Sequence, residues 1–514
     1  MLRRWFLTAA CLGLVVAAAL GAALLAWPGV GVAASPSGVA GISLHSFSGH
    51  VERLSVTDSD GKPVPIVLRR GTVWPRVRLA PGERLTIKVR IRRPSWIGWL
   101  VGHREEQTIT VVTPKPHIRS ALLRPRRGSP VMISFAEPVS RVAIGGRRLQ
   151  RLGAGRSVVP LGMRAAGKAV AGTTTVAAAV RPWEKLSNPA RVAWFVPGSR
   201  TSVVAEPAAG SRLAPLGPLT LTFARPVASV LGSRLPRLEP AMPGHWAQVD
   251  PHTLVFRPEG LGLGLGGTEQ VRLPGETLTW TVAAGSTLRL QELLARLGYL
   301  PVRWRPPGGT PPTIASEIAA ATSAPHGTFS WRYPQTPGSL KALWKPGSWN
   351  VITQGAVMRF ENVHDMGTDG VAGPRVWRAL MRDDLAGRRS DAGYNYVFVH
   401  ETVPQSLSLW HNGRVIVTSP GNTGIPESPT APGTWPVFEH IPVGTMSGTN
   451  PDGTHYNDPG IRWISYFHGG DALHEFPRAS FGTPQSLGCV ELPEAAAAAV
   501  WPYTPIGTLV TIEP

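Results

Sequence analysis

Glycine and proline punctuate this chain, 57 and 51 of them in 514 residues. Long uninterrupted helices have little place in such a sequence, because proline removes a backbone donor and glycine removes a conformational restraint. With 18 tryptophans and 43% hydrophobic residues, the composition fits turn-rich β modules and not a disordered chain. The length exceeds what one core serves, so a multidomain, mainly β protein is expected.

The N-terminus sets the compartment. After Met1-Leu2-Arg3-Arg4, an uncharged run of 23 residues extends from Trp5 to Trp27, and a helix needs about 20 to cross the hydrocarbon core. Residues 1–34 are expected to be an uncleaved signal anchor, a single membrane helix with the remaining chain outside the cell by the positive-inside tendency. Cleavage after Val32-Ala33-Ala34 would instead release a secreted protein. The net charge of +20 attracts polyanions. An extracytoplasmic location leaves anionic wall polymers and lipid head groups, and sets nucleic acid aside. Of the two cysteines, Cys11 falls in the apolar run, so Cys489 is the single thiol outside it. An unpaired thiol there is either buried and inert or used.

Residues 42–115 read as a β module with a basic face, since Arg84-Leu85-Thr86-Ile87-Lys88-Val89-Arg90-Ile91-Arg92 alternates with the period of a strand. Further on, Val131 to Val139 matches Leu219 to Val227 at an offset of 88 residues. The repeat resembles bacterial Ig-like modules and implies two β-sandwiches, at 117–200 and 201–285. Near Ser286 the period changes: Leu290, Leu293, Leu294 and Leu297 mark one helix face that stops at Gly298. That helix and the Asp369-Gly370-Val371-Ala372-Gly373-Pro374 turn resemble a small helical peptidoglycan-binding-like domain, placed at 286–385. A Pro-, Gly- and Trp-rich insert from Trp304 to Asn350 departs from its pattern.

Residues 393–513 are again β-like, with Asn412-Gly413 as a hairpin turn between alternating runs. Three segments follow: Thr430-Ala431-Pro432-Gly433-Thr434-Trp435, Ala472-Leu473-His474-Glu475, and Ser486-Leu487-Gly488-Cys489-Val490-Glu491-Leu492. A thiol nucleophile needs a base, a group that orients the base, and N–H donors for the oxyanion. Cys489 follows Gly488 in a tight turn, so the backbone N–H groups there are expected oxyanion donors, and His474 is the expected base. These segments, followed by Gly507-Thr508-Leu509-Val510-Thr511-Ile512, resemble the L,D-transpeptidase catalytic family, which acts on peptidoglycan. His474 lies 15 positions before Cys489 and His468 lies 21 before it; the shorter spacing is that of the family's motif histidine.

The resemblance implies a C-terminal β-rich catalytic domain in which Cys489 is the nucleophile, His474 the proton carrier, Ser486 the group that orients it, and Gly488 a backbone oxyanion donor. Tyr456, Tyr466, Arg478 and Glu491 are the expected substrate-binding residues, with the two tyrosines along the cleft. Where the family has a histidine and an Arg or Asn flanking the cysteine, this chain has Leu487 and Glu491, so Arg478 or Arg462 is the expected substitute for contact with a stem-peptide carboxylate. The implied reaction is cross-linking of stem peptides through a Cys thioester with release of D-alanine. Water as acceptor would make a carboxypeptidase; a cysteine peptidase and a non-catalytic wall scaffold are the alternatives. His455, His468, His474 and Cys489 lack paired ligand spacing, so no metal and no cofactor are expected.

Overall fold

The computed structural model describes residues 28–514 apart from 147, 148, 307 and 309–311. The expected membrane segment, Trp5 to Trp27, lies outside the described residues, among which no helix is long and apolar enough to cross a membrane. The chain divides into two compact units. One ends at Val204 and also holds Thr222–Arg225; the other is the remainder from Ala205.

In the first unit, strand Arg84–Arg92 buries Leu85, Ile87, Val89 and Ile91 and exposes Arg84, Lys88 and Arg92, as its alternation requires. It is the middle strand of a three-stranded sheet, between His50–Thr57 and Arg104–Val112. Residues 30–34, grouped by the sequence reading with the N-terminal segment, instead form a strand: Val30–Ala34 pairs antiparallel with Ala40–Leu44. Val32-Ala33-Ala34 therefore sits inside a paired strand, with Val30 in the same core as Leu85 and Ile87. The next module also departs from expectation. Its strands form one five-stranded sheet among the described residues, where the resemblance implied two. Both copies of the repeat begin on a strand, Pro130–Ile144 and Leu219–Phe223. The first continues through β-branched Val142 and Ile144, whereas the second turns at Pro226 into the short helix Val227–Leu231.

The second unit opens with a pair, Gly244–Asp250 on Thr253–Pro258. Beside it is a four-stranded sheet ordered Arg212–Leu213, Glu276–Val282, Thr268–Leu273, Leu238–Glu239. A helical module follows: α1 (Thr287–Arg296), α2 (Ile314–Thr322), α3 (Val351–Val363) and α4 (Pro374–Leu385). Ser286 caps α1 and Asn350 caps α3, each accepting from a backbone N–H. The insert is ordered, contributing α2 and the hairpin Val302–Arg305 with Thr328–Trp331. Arg289 of α1 is buried, donating to Glu292 at 3.1 Å and with both arms of one nitrogen to Glu317 at 2.7 and 2.9 Å.

The C-terminal domain has two sheets. The first contains β1 (Asn395–His400), β2 (Ser406–His411), β3 (Arg414–Pro420), β4 (Gly433–Pro436) and, last in the chain, β9 (Leu509–Glu513), in the order β3-β2-β1-β9-β4. The β2–β3 turn has Asn412 and Gly413 at φ 47° and 101°, the left-handed pair that an Asn-Gly hairpin uses. The second sheet is β5 (Glu439–Thr449), β6 (His455–His468), β7 (Asp471–Glu475) and β8 (Val490–Leu492), in that order, followed by α5 (Glu494–Val500). Val397, Leu409, Val510, Leu473, Val490 and Val500 form the core between them. The helical module backs the first sheet: Tyr396, Trp410 and Leu509 share its core with Leu294, Val357 and Leu380.

Arg289→Ala would leave Glu292 and Glu317 buried without their cation. We expect it to destabilise this unit by about 3 to 5 kcal/mol, read as a lowered urea midpoint. Arg289→Lys should recover only part, because a single ammonium cannot replace the fork.

Candidate active site

The site is built by one pairing. Strands β7 and β8 run parallel, with Leu473 opposite Val490 and His474 opposite Glu491. One step back, this register brings Ala472 level with Cys489. Alternation then turns Leu473 and Val490 into the core, while Ala472, His474, Cys489 and Glu491 share the opposite face. On that face Cys489, like Met446, Tyr466 and Phe476, packs against the buried cluster of Ile461, Ile464 and Ala472.

His474 is only 3% exposed. Its Nδ1 lies 2.8 Å from the carbonyl oxygen of Glu475. A carbonyl can only accept, so Nδ1 carries the proton and Nε2 keeps its lone pair. Burial holds the imidazole below its ordinary pKa, against the opposing pull of the Glu475 carbonyl and the Glu491 and Glu475 carboxylates. The ring is therefore a neutral base. Cys489 is half-buried and free, and its Sγ lies 3.6 Å from the carbonyl of Gly470. Burial pushes the thiol up to about 12; the Ala472 N–H counters this, and the carboxylates of Asp471 and Glu491 add to it. Burial thus moves both groups toward their neutral forms.

The turn that carries Cys489 is held from within and below. Ser486 Oγ donates to the carbonyl of Cys489 at 2.6 Å and accepts from Gly488 N–H at 3.3 Å. Its hydroxyl thus closes the turn and makes no hydrogen bond to His474 among the described residues, contrary to the orienting role expected of it. The same bond occupies the Gly488 N–H expected to face an oxyanion. The Cys489 N–H has no hydrogen-bond partner among the described residues and stands open. Gly488 has φ +115°, and a Cβ there would meet Asp471 Oδ1 at 2.4 Å, so glycine is required twice over. Beneath the turn, Thr423 O accepts from Gln485 and Ser486, the Asn422 backbone exchanges hydrogen bonds with Glu491, and Ser428 Oγ donates to Leu487 O.

The arginines expected to contact substrate are paired. Arg478 grips buried Glu491 through two bonds, of 2.8 and 2.7 Å, donates to Gln485 O at 3.1 Å, and lies over the Phe476 ring. Arg462 bonds Glu475 at 3.0 Å and Glu494 at 2.7 Å. Glu491 is therefore an anchor for the loop after β7 and not an open recognition group. Tyr456 and Tyr466, on β6, are close enough to Cys489 for its charge to raise their pKa values, second to burial. Tyr466 stacks on Phe438, and the Tyr456 phenol crosses Gly448.

Two participants carry no sequence signal. The Glu475 carbonyl could have come from any residue after the histidine. Asp471 belongs to no motif; it accepts from Ala431 N–H at 3.2 Å, faces His468 Nδ1 at 3.4 Å, and is drawn under Gly488 only by the strand pairing. His468 lies against Trp435, with ring centroids 4.3 Å apart. Among the described residues, no three His, Cys, Asp or Glu side chains converge to hold a metal ion.

Arg478→Ala would strip a buried carboxylate of its partner and is expected to cost about 2 kcal/mol, the order of an unsatisfied buried acceptor. Adding Glu491→Gln should recover most of that loss in thermal denaturation, because the pair acts as one unit.

No curated protein matches the sequence. Similar solved structures include an L,D-transpeptidase from Mycobacterium smegmatis (14% identity, 61% of this chain and 100% of that chain, TM-score 0.22). L,D-transpeptidase 3 from Mycobacterium tuberculosis has 11% identity over 61% of this chain and 99% of that one, with TM-score 0.22. The catalytic domain of the Enterococcus faecium L,D-transpeptidase acylated by ertapenem has 23% identity over 24% of this chain and 98% of that one, with TM-score 0.21. Residues 394–512 match the YkuD family model, which describes an L,D-transpeptidase catalytic domain.

Proposed function

We propose that the C-terminal domain cross-links peptidoglycan stem peptides through a thioester on Cys489. The observation that carries this reading is the parallel β7–β8 register, which sets Cys489 and a tautomer-locked His474 on one face. Because thiol and imidazole both rest neutral, the proton passes to His474 Nε2 as Sγ attacks the carbonyl of the third stem residue, a diamino acid. The open Cys489 N–H serves the oxyanion. The protonated imidazole then returns the proton to the departing D-alanine amine. An amine from a neighbouring stem attacks the thioester, gives up a proton to His474, and restores the thiol. Water in place of that amine would give a carboxypeptidase. Glu475, through its carbonyl, takes the orienting role; Ser486 and Gly488 shape the turn. The segment 5–27 would hold the enzyme at the outer face of the cell membrane, with anionic wall polymers meeting the basic first module.

The test is D-alanine release from purified disaccharide tetrapeptide. Cys489→Ala should abolish it and His474→Ala should slow it by about 10² to 10⁴, the usual worth of a general base. Equal release from wild type and Cys489→Ala would overturn the reading in favour of a non-catalytic wall scaffold. Ertapenem should leave one covalent adduct, by intact mass, that is lost in Cys489→Ala.

The pH profile follows from the two shifts. His474 protonates only below its ordinary value, so acylation should hold through neutrality and fall at acid pH with an apparent pKa under about 6.5. No thiolate limb should appear until strongly alkaline pH, since the thiol ionises at about 12. Stopped-flow acylation rates between roughly pH 4 and 10 should show the acid limb and no alkaline rise.

A further inference from the structure

Helix Ser95–Val101, which joins two strands of the first unit's three-stranded sheet, buries only Gly98. Trp96, Trp99 and Leu100 are 60%, 76% and 65% exposed. Phe47, 51% exposed, meets Trp96 edge-on at 5.4 Å, and Leu44 is exposed nearby in sequence. A helix in water turns its apolar stripe toward a core. This one turns it outward.

The cover is indicated by where the chain enters. Arg93 donates to Val101 O and Gly102 O at the end of the helix, at 2.8 and 3.0 Å, and to Pro28 O at 2.9 Å. Gly29 is bonded by Ser48 and by His45 N–H. One arginine thus ties the residue that follows the uncharged run 5–27 to the exposed helix. Cationic groups frame the same end of the sheet: Arg92 carries no ion pair among the described residues, and Arg104 is exposed beside its partner Glu52. Exposed tryptophans with a basic rim are the pattern of a surface seated at an anionic bilayer interface.

We infer that helix Ser95–Val101, with Phe47 and Leu44, docks into the headgroup–acyl boundary of an anionic membrane. The inference rests on the reading of segment 5–27 as a membrane segment. It makes the first module a membrane-seated base and not a body swinging on a tether.

The test uses the full chain with a nitroxide on Leu100→Cys, in a Cys11→Ser, Cys489→Ser background, in phosphatidylglycerol–phosphatidylcholine vesicles. The chain should float with the vesicles, and the label should collide with oxygen over a nickel chelate several-fold more than a label on Val249→Cys. A label on Trp99→Cys should behave alike, which guards against a local effect of one substitution. A floating chain whose Leu100 label favours nickel overturns the docking alone. Low access to both reagents would mean that protein covers the patch, segment 5–27 or a second copy, and also overturns it. A chain that stays in the aqueous fraction overturns both the docking and the membrane segment.

Discussion

Everything at the catalytic end depends on the parallel contact between β7 and β8. A shift of one residue in that register would turn either His474 or Cys489 into the core and bring Leu473 or Val490 to the cleft, because side chains alternate across a sheet. The register is protected from both sides. Leu473 and Val490 fill the core between the sheets, and the loop before β8 is bolted down by Asn422, Thr423 and Ser428. Glycine at 488 is part of the same device, since its backbone passes where a side chain would strike Asp471.

The domain does not stand alone. Its five-stranded sheet uses the helical module as its second layer. Tyr396 bonds Ser339 and Thr511, Trp410 bonds Gln335, and Gly355 and Gly507 approach so closely that a Cβ on either would meet the other's carbonyl. The helical module is thereby a structural support of this sheet. Its own interior contains the Arg289 network, in which the cost of burying the charges offsets much of what their pairing gains.

Burial first, and charge after it, hold the Cys489 thiol above its ordinary pKa. The carboxylates nearest the thiol, Asp471 and Glu491, oppose its ionisation. Glu491 is neutralised at longer range by Arg478, so the residue that departs from the family pattern is compensated within the same loop. The His474 imidazole on the same face is held below its ordinary pKa by burial, and its tautomer is set by a main-chain carbonyl.

Much of this was legible in the chain itself. Alternation determined the strand Arg84–Arg92, Asn412-Gly413 determined a hairpin, the leucine spacing determined α1, and the motif order singled out His474 and Cys489. These are signals carried by neighbouring residues, where local geometry and burial period decide. The roles of Ser486, Gly488, Arg478 and Glu491 were decided by tertiary structure, because a hydroxyl, an N–H or an arginine has several partners within reach and only packing selects one. The same holds for the boundary at residue 30, where Val30–Ala34 is apolar enough to extend a membrane segment yet finds a strand partner in Ala40–Leu44. Cys489 and His474 as candidates were written in sequence; the burial that holds the thiol above and the imidazole below its ordinary pKa exists only once the domain has closed around β7 and β8.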